Sequence, residues 1–300
     1  MAPQYFFSIV IPTYNRPERL LNCLESLTRL DYPRAQFEVV VVDDGSKMSL
    51  ESVVATVKDK LNLTFVKQAN QGPAAARNTG ASKAQGQFLV FTDDDCAPAP
   101  DWLSKLAARF ATAPDAMIGG HTINALKENL YSIASQTLID YLYEYYNLNS
   151  VQPNFFASNN IALPAQTFHS LGGFDISFPL AAAEDREFCD RWLYKGYKMV
   201  YAPEILIYHN HELTLRKLWH QHFNYGRGAF CFHKIRSNRI SQPIKIEPLS
   251  FYLDLLTYPL SKLSSQMGIL VAVLIFLSQV ANVAGFIWER NHSPSTLNQI

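Results

Sequence analysis

Short β-branched runs and helical stripes alternate through the first hundred residues, and this alternation leaves few architectures open. Phe6–Pro12 (FFSIVIP) and Phe37–Asp44 (FEVVVVDD) are strand length and apolar nearly throughout, the pattern of strands buried on both faces. Between them, Glu18–Leu30 sets Leu20, Leu21, Leu24, Leu27 and Leu30 on one helical stripe. Asn15 is available as a cap and Pro17 fits the first turn. Helix (Ser49–Leu61), strand (Leu63–Lys67), helix (Ala74–Ala84) and strand (Gln87–Thr92) follow in turn. Such a succession predicts an α/β fold, a mostly parallel sheet with helices on both faces. Ligands on these sheets bind at the carboxyl ends of the strands.

The middle of the chain is less regular. Asn129–Tyr146 is aromatic and helical in period, Phe155–Leu163 reads as a strand, and Glu184–Tyr194 as a helix opening on two acids. KMVYAP and EILIYH read as two strands on either side of Pro203. Leu213–Lys234 reads as a basic helical stretch broken near Gly226 and Gly228. With 48% apolar and 17% charged residues the 300-residue chain can bury a substantial core, which excludes a disordered polymer. Its formal net charge of zero removes the electrostatic footprint of a nucleic-acid binder. Cys23, Cys96, Cys189 and Cys231 lack CxxC spacing and read as reduced thiols of a cytosolic compartment. The opening MAPQYFFSIVIP has no basic n-region, so no secretory leader is expected.

Met267–Trp288 is different in character. It holds no charged residue and would extend about 33 Å as a helix, enough to cross a bilayer. A buried core helix is the alternative. Lys234, Arg236, Arg239, Lys245 and Lys262 cluster before it, which favours a single-pass arrangement with the catalytic part on the cytoplasmic side. The expected organisation is a catalytic domain over 1–235 (nucleotide-binding half 1–100, acceptor and sugar half 101–235), a linker or membrane-interface segment over 236–266, a transmembrane helix over 267–288 and a tail over 289–300.

Three carboxylates, Asp93-Asp94-Asp95, directly follow the strand QFLVFT. Adjacent like charges repel, and a hard divalent cation, Mg²⁺ or Mn²⁺, would relieve the repulsion while sharing its free positions with phosphates. A solvated turn is the competing reading. Asp43-Asp44, followed by Gly45-Ser46, ends a second strand, so both acidic groups point into the same crevice. Arg77, one turn into the helix after Gly72-Pro73, is placed to contact a base or a diphosphate. Glu184-Asp185 opens another helix, where a carboxylate is favoured and either residue suits a general base for an acceptor hydroxyl. His209 and His211 end the strand EILIYH, and either is able to complete a metal shell or contact phosphate. Arg216, Trp219 and Arg227 lie on the basic helix that follows, in reach of a phosphate-bearing or membrane-borne acceptor.

Taken together, SIVIPTYNRPERLLNCLESL, VVVDDGS, NQGPAAARNTG, FTDDDCAPAPDWL, SNNIALPAQTFHSLGGFD and AEDREFCDRWLYKGY resemble the family-2 inverting glycosyltransferases of the GT-A, Rossmann-like fold, over roughly Ser8 to His211. The resemblance implies metal-dependent transfer of a sugar from a nucleotide diphosphate, UDP-sugars favoured, to a saccharide or lipid-linked acceptor in envelope, exopolysaccharide or glycolipid synthesis. Pro12, Thr13 and Tyr14 match the first nucleotide-binding turn, and Asp44 the residue that pairs with the base, with Asp43 beside it. Arg77 matches a basic position of the nucleotide pocket. In the acidic triplet Asp93 would touch ribose and share the metal with Asp95, and Asp94 between them would belong to the nucleotide site. Asn160 and Gly172-Gly173-Phe174-Asp175 match the stretch shaping the donor-sugar and acceptor pocket. Asp185, beside Glu184, matches the catalytic base, and His209 a position that binds metal or diphosphate. Pro164-Ala165 departs from the basic residues many members carry there, and no QxxRW motif is present, which argues against a processive synthase. Two other classes remain in competition. A nucleotidyltransferase would need a basic Gly-rich loop where PTYNRPERL stands; a catalytically silent sugar-binding or scaffold subunit of a membrane complex would keep the fold without turnover.

Overall fold

The structure, a computed structural model, describes residues 5–148, 152–178, 182–241 and 247–293. An eight-stranded sheet forms its centre, in the order β3-β2-β1-β4-β7-β6-β8-β5. One half is the predicted parallel unit: β1 (Phe7–Thr13), β2 (Phe37–Asp43), β3 (Leu63–Lys67) and β4 (Phe88–Phe91). Every residue of β1, β2 and β4 is buried, which is why their sequences show no alternation. The other half is mixed. β7 (Ile161–Pro164) runs antiparallel to β4 and to β6 (Met117–Asn124). β8 (Met199–His209) is parallel to β6, and the short β5 (Cys96–Pro98) antiparallel to β8.

Helices α1 (Pro17–Leu27), α2 (Glu51–Ala55), α3 (Pro73–Lys83), α4 (Trp102–Thr112), α5 (Leu130–Tyr143), α6 (Ala165–Ser170) and α7 (Glu184–Tyr194) connect the strands. Two buried clusters fill the faces. One gathers Phe7, Leu20, Leu24, Val39, Trp102 and Phe110; the other Val10, Phe91, Phe156, Phe188 and Trp192. Asn15 is not the cap of α1. It lies in the left-handed region (φ 56°), accepts from Lys47 N at its side-chain oxygen and donates its own N–H to Ser46 Oγ, joining the turn after β1 to the turn after β2. Phe155–Leu163 is a strand only from Ile161, because Ser158–Asn160 form a 3₁₀ turn first.

Two expected interruptions are absent. β8 runs continuously through Pro203, because pairing with β6 passes from Tyr201 directly to Leu206 and the ladder never needs the missing proline N–H. α8 (Leu215–Ile240) is one unbroken helix of 26 residues. Gly228 lets α8 approach the Ala182 carbonyl, whereas Gly226, with Gly285 of the C-terminal helix, serves an approach between helices. A Cβ on Gly226 would lie 1.8 Å from the Asn282 carbonyl oxygen, and one on Gly285 1.9 Å from that of Phe223.

The C-terminal organisation also departs from expectation. The stretch expected as a linker over 236–266 holds the end of α8 and the helix α9 (Leu249–Lys262). α10 (Ser265–His292) is the one helix among the described residues long and apolar enough to cross a membrane. It does not stand apart from the catalytic unit. Gly268, Val271, Ile275, Ser278, Ala281, Gly285 and Glu289 form a buried stripe at three- and four-residue spacing. Leu274 and Ile275 pack with Leu138, Tyr141 and Phe251 of α5 and α9.

Candidate active site

Strand register brings the acids together. Thr13 at the end of β1 lies beside Asp43 of β2, and β4 flanks β1 on the other side, so three carboxyl ends form one edge. A cavity of about 960 Å³ opens there, lined among others by Pro12, Thr13, Tyr14, Asp44, Arg77 and all three aspartates of the triplet. Asp43 closes its own turn by accepting from Ser46 N at 2.9 Å. Asp44 organises the next loop: its Oδ1 accepts from Gln68 Nε2 (2.7 Å) and Gln71 N (3.0 Å), its Oδ2 from Gly72 N (2.8 Å).

Guanidinium groups offset the charge of the triplet. Arg77 holds Asp93 through Nη2 at 2.7 Å, Arg16 holds Asp94 at 3.1 Å, and Arg19 holds Asp95 at 2.8 Å. The Asp93 side chain is the open one, 29% exposed against 3% and 6% for Asp94 and Asp95. Burial pushes Asp94 up to about 6, although Arg16 opposes the shift and Thr13 Oγ1 donates to it at 2.7 Å. Asp95 is moved the opposite way. Burial would raise it, but the His209 hydrogen bond and the charges of His209 and Arg16 hold it below the ordinary carboxylate range. The β5–β8 pairing sets Cys96 opposite His209, which is why His209 Nε2 reaches Asp95 Oδ1 at 3.2 Å. Asp95, Cys96 and His209 form the one group of potential metal ligands among the described residues. His211 sits beside His209, ring centres 4.9 Å apart, and burial and the His209 charge lower it to about 4.

Arg77 lines the cavity and also joins its two groups of acids. It is 4% exposed and bridges Asp93 to Glu184 (Nη1 to Oε1, 3.2 Å). Both terminal nitrogens are thus paired, while its buried Nε has no partner. The bridge fastens α7, more than a hundred residues on, to the strand-end acids. Ala183, the residue before the pair, has φ 71°, an unusual conformation for a residue with a Cβ and one that marks functional turns. Burial and the Asp185 charge push Glu184 up to about 7 against the pull of Arg77. Asp185 is raised by burial as well, with its oxygens accepting from Arg186 N at 2.8 Å and Ser158 N at 3.3 Å.

Four residues expected to shape the donor or acceptor pocket have other roles in the structure. Asn160 is sequestered in the sheet. Its Oδ1 accepts from Trp102 Nε1, and its Nδ2 donates to the carbonyls of His121 and Ile205 where the β6–β8 pairing shifts. Its neighbour Asn159 lines the cavity instead. Gly173, at φ 71°, packs on Asn78 and accepts from Arg191 at its carbonyl. Asp175 closes a turn onto Ser177 N at 2.8 Å. Trp219 is 39% exposed on α8, whereas Gln221, His222 and Tyr225 of the same helix line the cavity. Sequence reasoning missed those three and also Gln279, Asn282, Val283 and Phe286 of α10. Their spacing of three, one and three residues is a helical face, the only local signal the sequence offers for them.

Comparison with known proteins decides the family. The family model described as "Glycosyl transferase family 2" matches residues 8–170, more than half of the chain. The chain belongs to glycosyltransferase family 2. It is 34% identical to the glycosyltransferase AglE of Haloferax volcanii over 119 residues, 39% of each protein, and so spans well under two thirds of that relative. Among solved structures, the mannosyltransferase PcManGT from Pyrobaculum calidifontis, in complex with GDP-Man and Mn²⁺, aligns at a TM-score of 0.62 and 20% identity, covering 98% of this chain and 81% of that one. TarS residues 1–349 from S. aureus, in complex with UDP-GlcNAc, aligns at 0.56 and 17% identity over 96% and 91%. At these identities the two structures establish the GT-A fold.

Proposed function

We propose that this family-2 member is an inverting, metal-dependent glycosyltransferase, moving a sugar from a nucleoside diphosphate, UDP favoured, to a hydroxyl of a saccharide or lipid-linked acceptor in cell-envelope or related glycan synthesis. One observation carries the reading: the strand-end acids Asp93–Asp95 and the helix-opening pair Glu184–Asp185 line one cavity and are tied by Arg77. The relatives and neighbours, among them one with Mn²⁺, support it by analogy.

The residues fit a divalent cation. Asp95 and His209 offer oxygen and nitrogen donors 3.2 Å apart, suited to Mg²⁺ or Mn²⁺. Burial keeps the Cys96 thiol protonated, which leaves the carboxylate and imidazole as the donors. When bound, the cation supplies positive charge to the leaving diphosphate. The other tasks fall to the chain's own groups. Pro12, Thr13, Tyr14 and Asp44 line the end for base and ribose, and Asp93, the open member of the triplet, takes the ribose hydroxyls. Asp185 accepts the acceptor's proton as the acceptor oxygen bonds to the anomeric carbon. The carbon–oxygen bond to the diphosphate breaks in the same displacement, and its electron pair departs with the nucleotide. We favour Asp185 as base because Glu184 is held by Arg77. A single displacement inverts the anomeric carbon.

Asp185→Asn is expected to keep nucleotide binding and lose turnover by about 10² to 10⁴, the scale of a general base. Asp95→Ala is expected to lose Mn²⁺-dependent UDP binding, measured by thermal shift, and with it donor hydrolysis. A large loss in Glu184→Gln with none in Asp185→Asn transfers the role to Glu184. Wild-type protein that binds donor and never turns it over would instead be a silent subunit.

A further inference from the structure

Beyond Glu184 and Asp185 the cavity continues between the C-terminal helices. α8 contributes Gln221, His222 and Tyr225, and α10 contributes Gln279, Asn282, Val283 and Phe286. Two features of this inner chamber are unexplained by nucleotide binding. Gln221 Oε1 and His222 Nε2 are buried without a hydrogen-bond partner, although His222 is only 3% exposed. Burial and the His211 charge lower the imidazole to about 4, so it stays neutral near pH 7. Buried polar atoms are normally paired, and a ligand hydroxyl is a direct way to pair these. The second feature is the mouth. Val283 lines the chamber and is also 56% exposed, so the chamber opens on the outer face of α10, where Val280 and Ile287 flank it. That opening is framed by aliphatic side chains.

We propose that this chamber is the acceptor site and that the acceptor is amphiphilic. Its hydroxyl-bearing head lies against Gln221, His222 and Asn282 beside the acid pair, and its aliphatic chain leaves past Val283 and Phe286. The proposal rests on the glycosyl-transfer reading. The volume suits it: about 960 Å³ lies at the top of the range of roughly 300–1,000 Å³ for small-molecule sites, room for a donor and an acceptor head together. A saccharide free in water has no need of an aliphatic mouth. α10 is then part of the catalytic site as well as an apolar surface.

The test uses the full chain with UDP and Mn²⁺ present. n-Octyl β-D-glucoside, kept below its micelle concentration, is titrated by calorimetry against methyl β-D-glucoside. The octyl compound is expected to bind saturably and at least tenfold more tightly. Val283→Asp and, separately, Phe286→Ala should each weaken it at least tenfold, with melting temperatures recorded for both. Ile269→Asp, 58% exposed on the same helix and about 21 Å away along its axis, should leave binding unchanged. Absent saturation, equal affinity for the two glucosides, or equal loss in Ile269→Asp and Val283→Asp overturns the chamber. The nucleotide titration separates the two levels. If neither UDP nor GDP binds with Mn²⁺, the transferase reading itself fails; if one binds and octyl glucoside does not bind beside it, only the acceptor chamber falls.

Discussion

Arg77 and Glu184 illustrate how one buried pair sets both stability and chemistry. Glu184 has an ordinary value of 4.5 and is pushed up to about 7 in the fold, by burial first and the Asp185 charge second. The folded protein therefore holds more protons than the unfolded chain between those values. The contribution of Glu184 to stability is present below about 4.5 and is lost as pH rises toward 7. Asp94, raised to about 6, acts in the same direction. Asp95, lowered, acts in the opposite one and contributes stability that disappears only on acidification below the ordinary aspartate range. At its full extent the Glu184 shift corresponds to on the order of 3 kcal/mol. His211, His222 and His233, each lowered to about 4 by burial, act against it over the same range. Glu184 is therefore read as a difference: without nucleotide or metal, the melting-temperature margin of the wild type over Glu184→Gln is expected to shrink as pH rises from 5 to 7.5. A margin unchanged with pH would remove Glu184 as the titrating group. In turnover, the pair is expected to produce an acid limb of kcat near pH 7, with the apparent value belonging to Glu184 and Asp185 jointly.

At the scale of elements, the contact between α8 and α10 is the feature on which the C-terminal half depends. Gly226 and Gly285 let each helix meet the other's backbone, and the adjacent Arg227 bonds Glu289, one turn beyond Gly285, at 2.7 Å while stacking 4.3 Å over Trp288. Gly226→Ala would place a methyl group against a carbonyl oxygen that cannot yield, so a loss at or above the usual 1–3 kcal/mol of overpacking is expected. Gly268→Ala meets its nearest atom at 3.0 Å and should cost far less. Guanidinium midpoints of the two variants measure the difference, and equal midpoints would mean that the crossing is loose. This contact also marks what the sequence could tell. β1, β2, β4 and the acids at their ends were legible because a buried strand and the residues after it are consecutive. Asn160, Gly173 and Asp175 were misplaced because a motif gives proximity to a site without giving side-chain direction. The α10 wall was illegible for another reason: residues sixty apart meet through glycines that, read locally, suggest a helix break.

For the whole molecule the question is how α10, apolar on its outer face and lining the cavity on its inner one, would meet a membrane if the proposed acceptor is amphiphilic. The outer faces of α9 and α10 expose Leu249, Leu253, Ile269, Val273, Phe276 and Ile287. Were α10 to cross a hydrocarbon core of about 30 Å, α8 would enter with it, since the two are packed at backbone contact. α8 carries Arg216, Lys217, Arg227, Lys234, Arg236 and Arg239, and charges at bilayer depth cost at least about 2.5–3.5 kcal/mol each. The single-pass arrangement expected from hydropathy is therefore disfavoured against α10 lying along the membrane surface, outer face down, with the chamber mouth meeting the lipid. The two arrangements differ in where the ends of α10 emerge. In a Cys231→Ser background, where Cys23, Cys96 and Cys189 are buried, Ser261→Cys and Arg290→Cys bracket the helix. A membrane-impermeant maleimide applied to sealed vesicles should label both from one side. Labelling from opposite sides would restore the spanning helix, and active, monodisperse protein in the soluble fraction without detergent would remove the membrane from the account altogether.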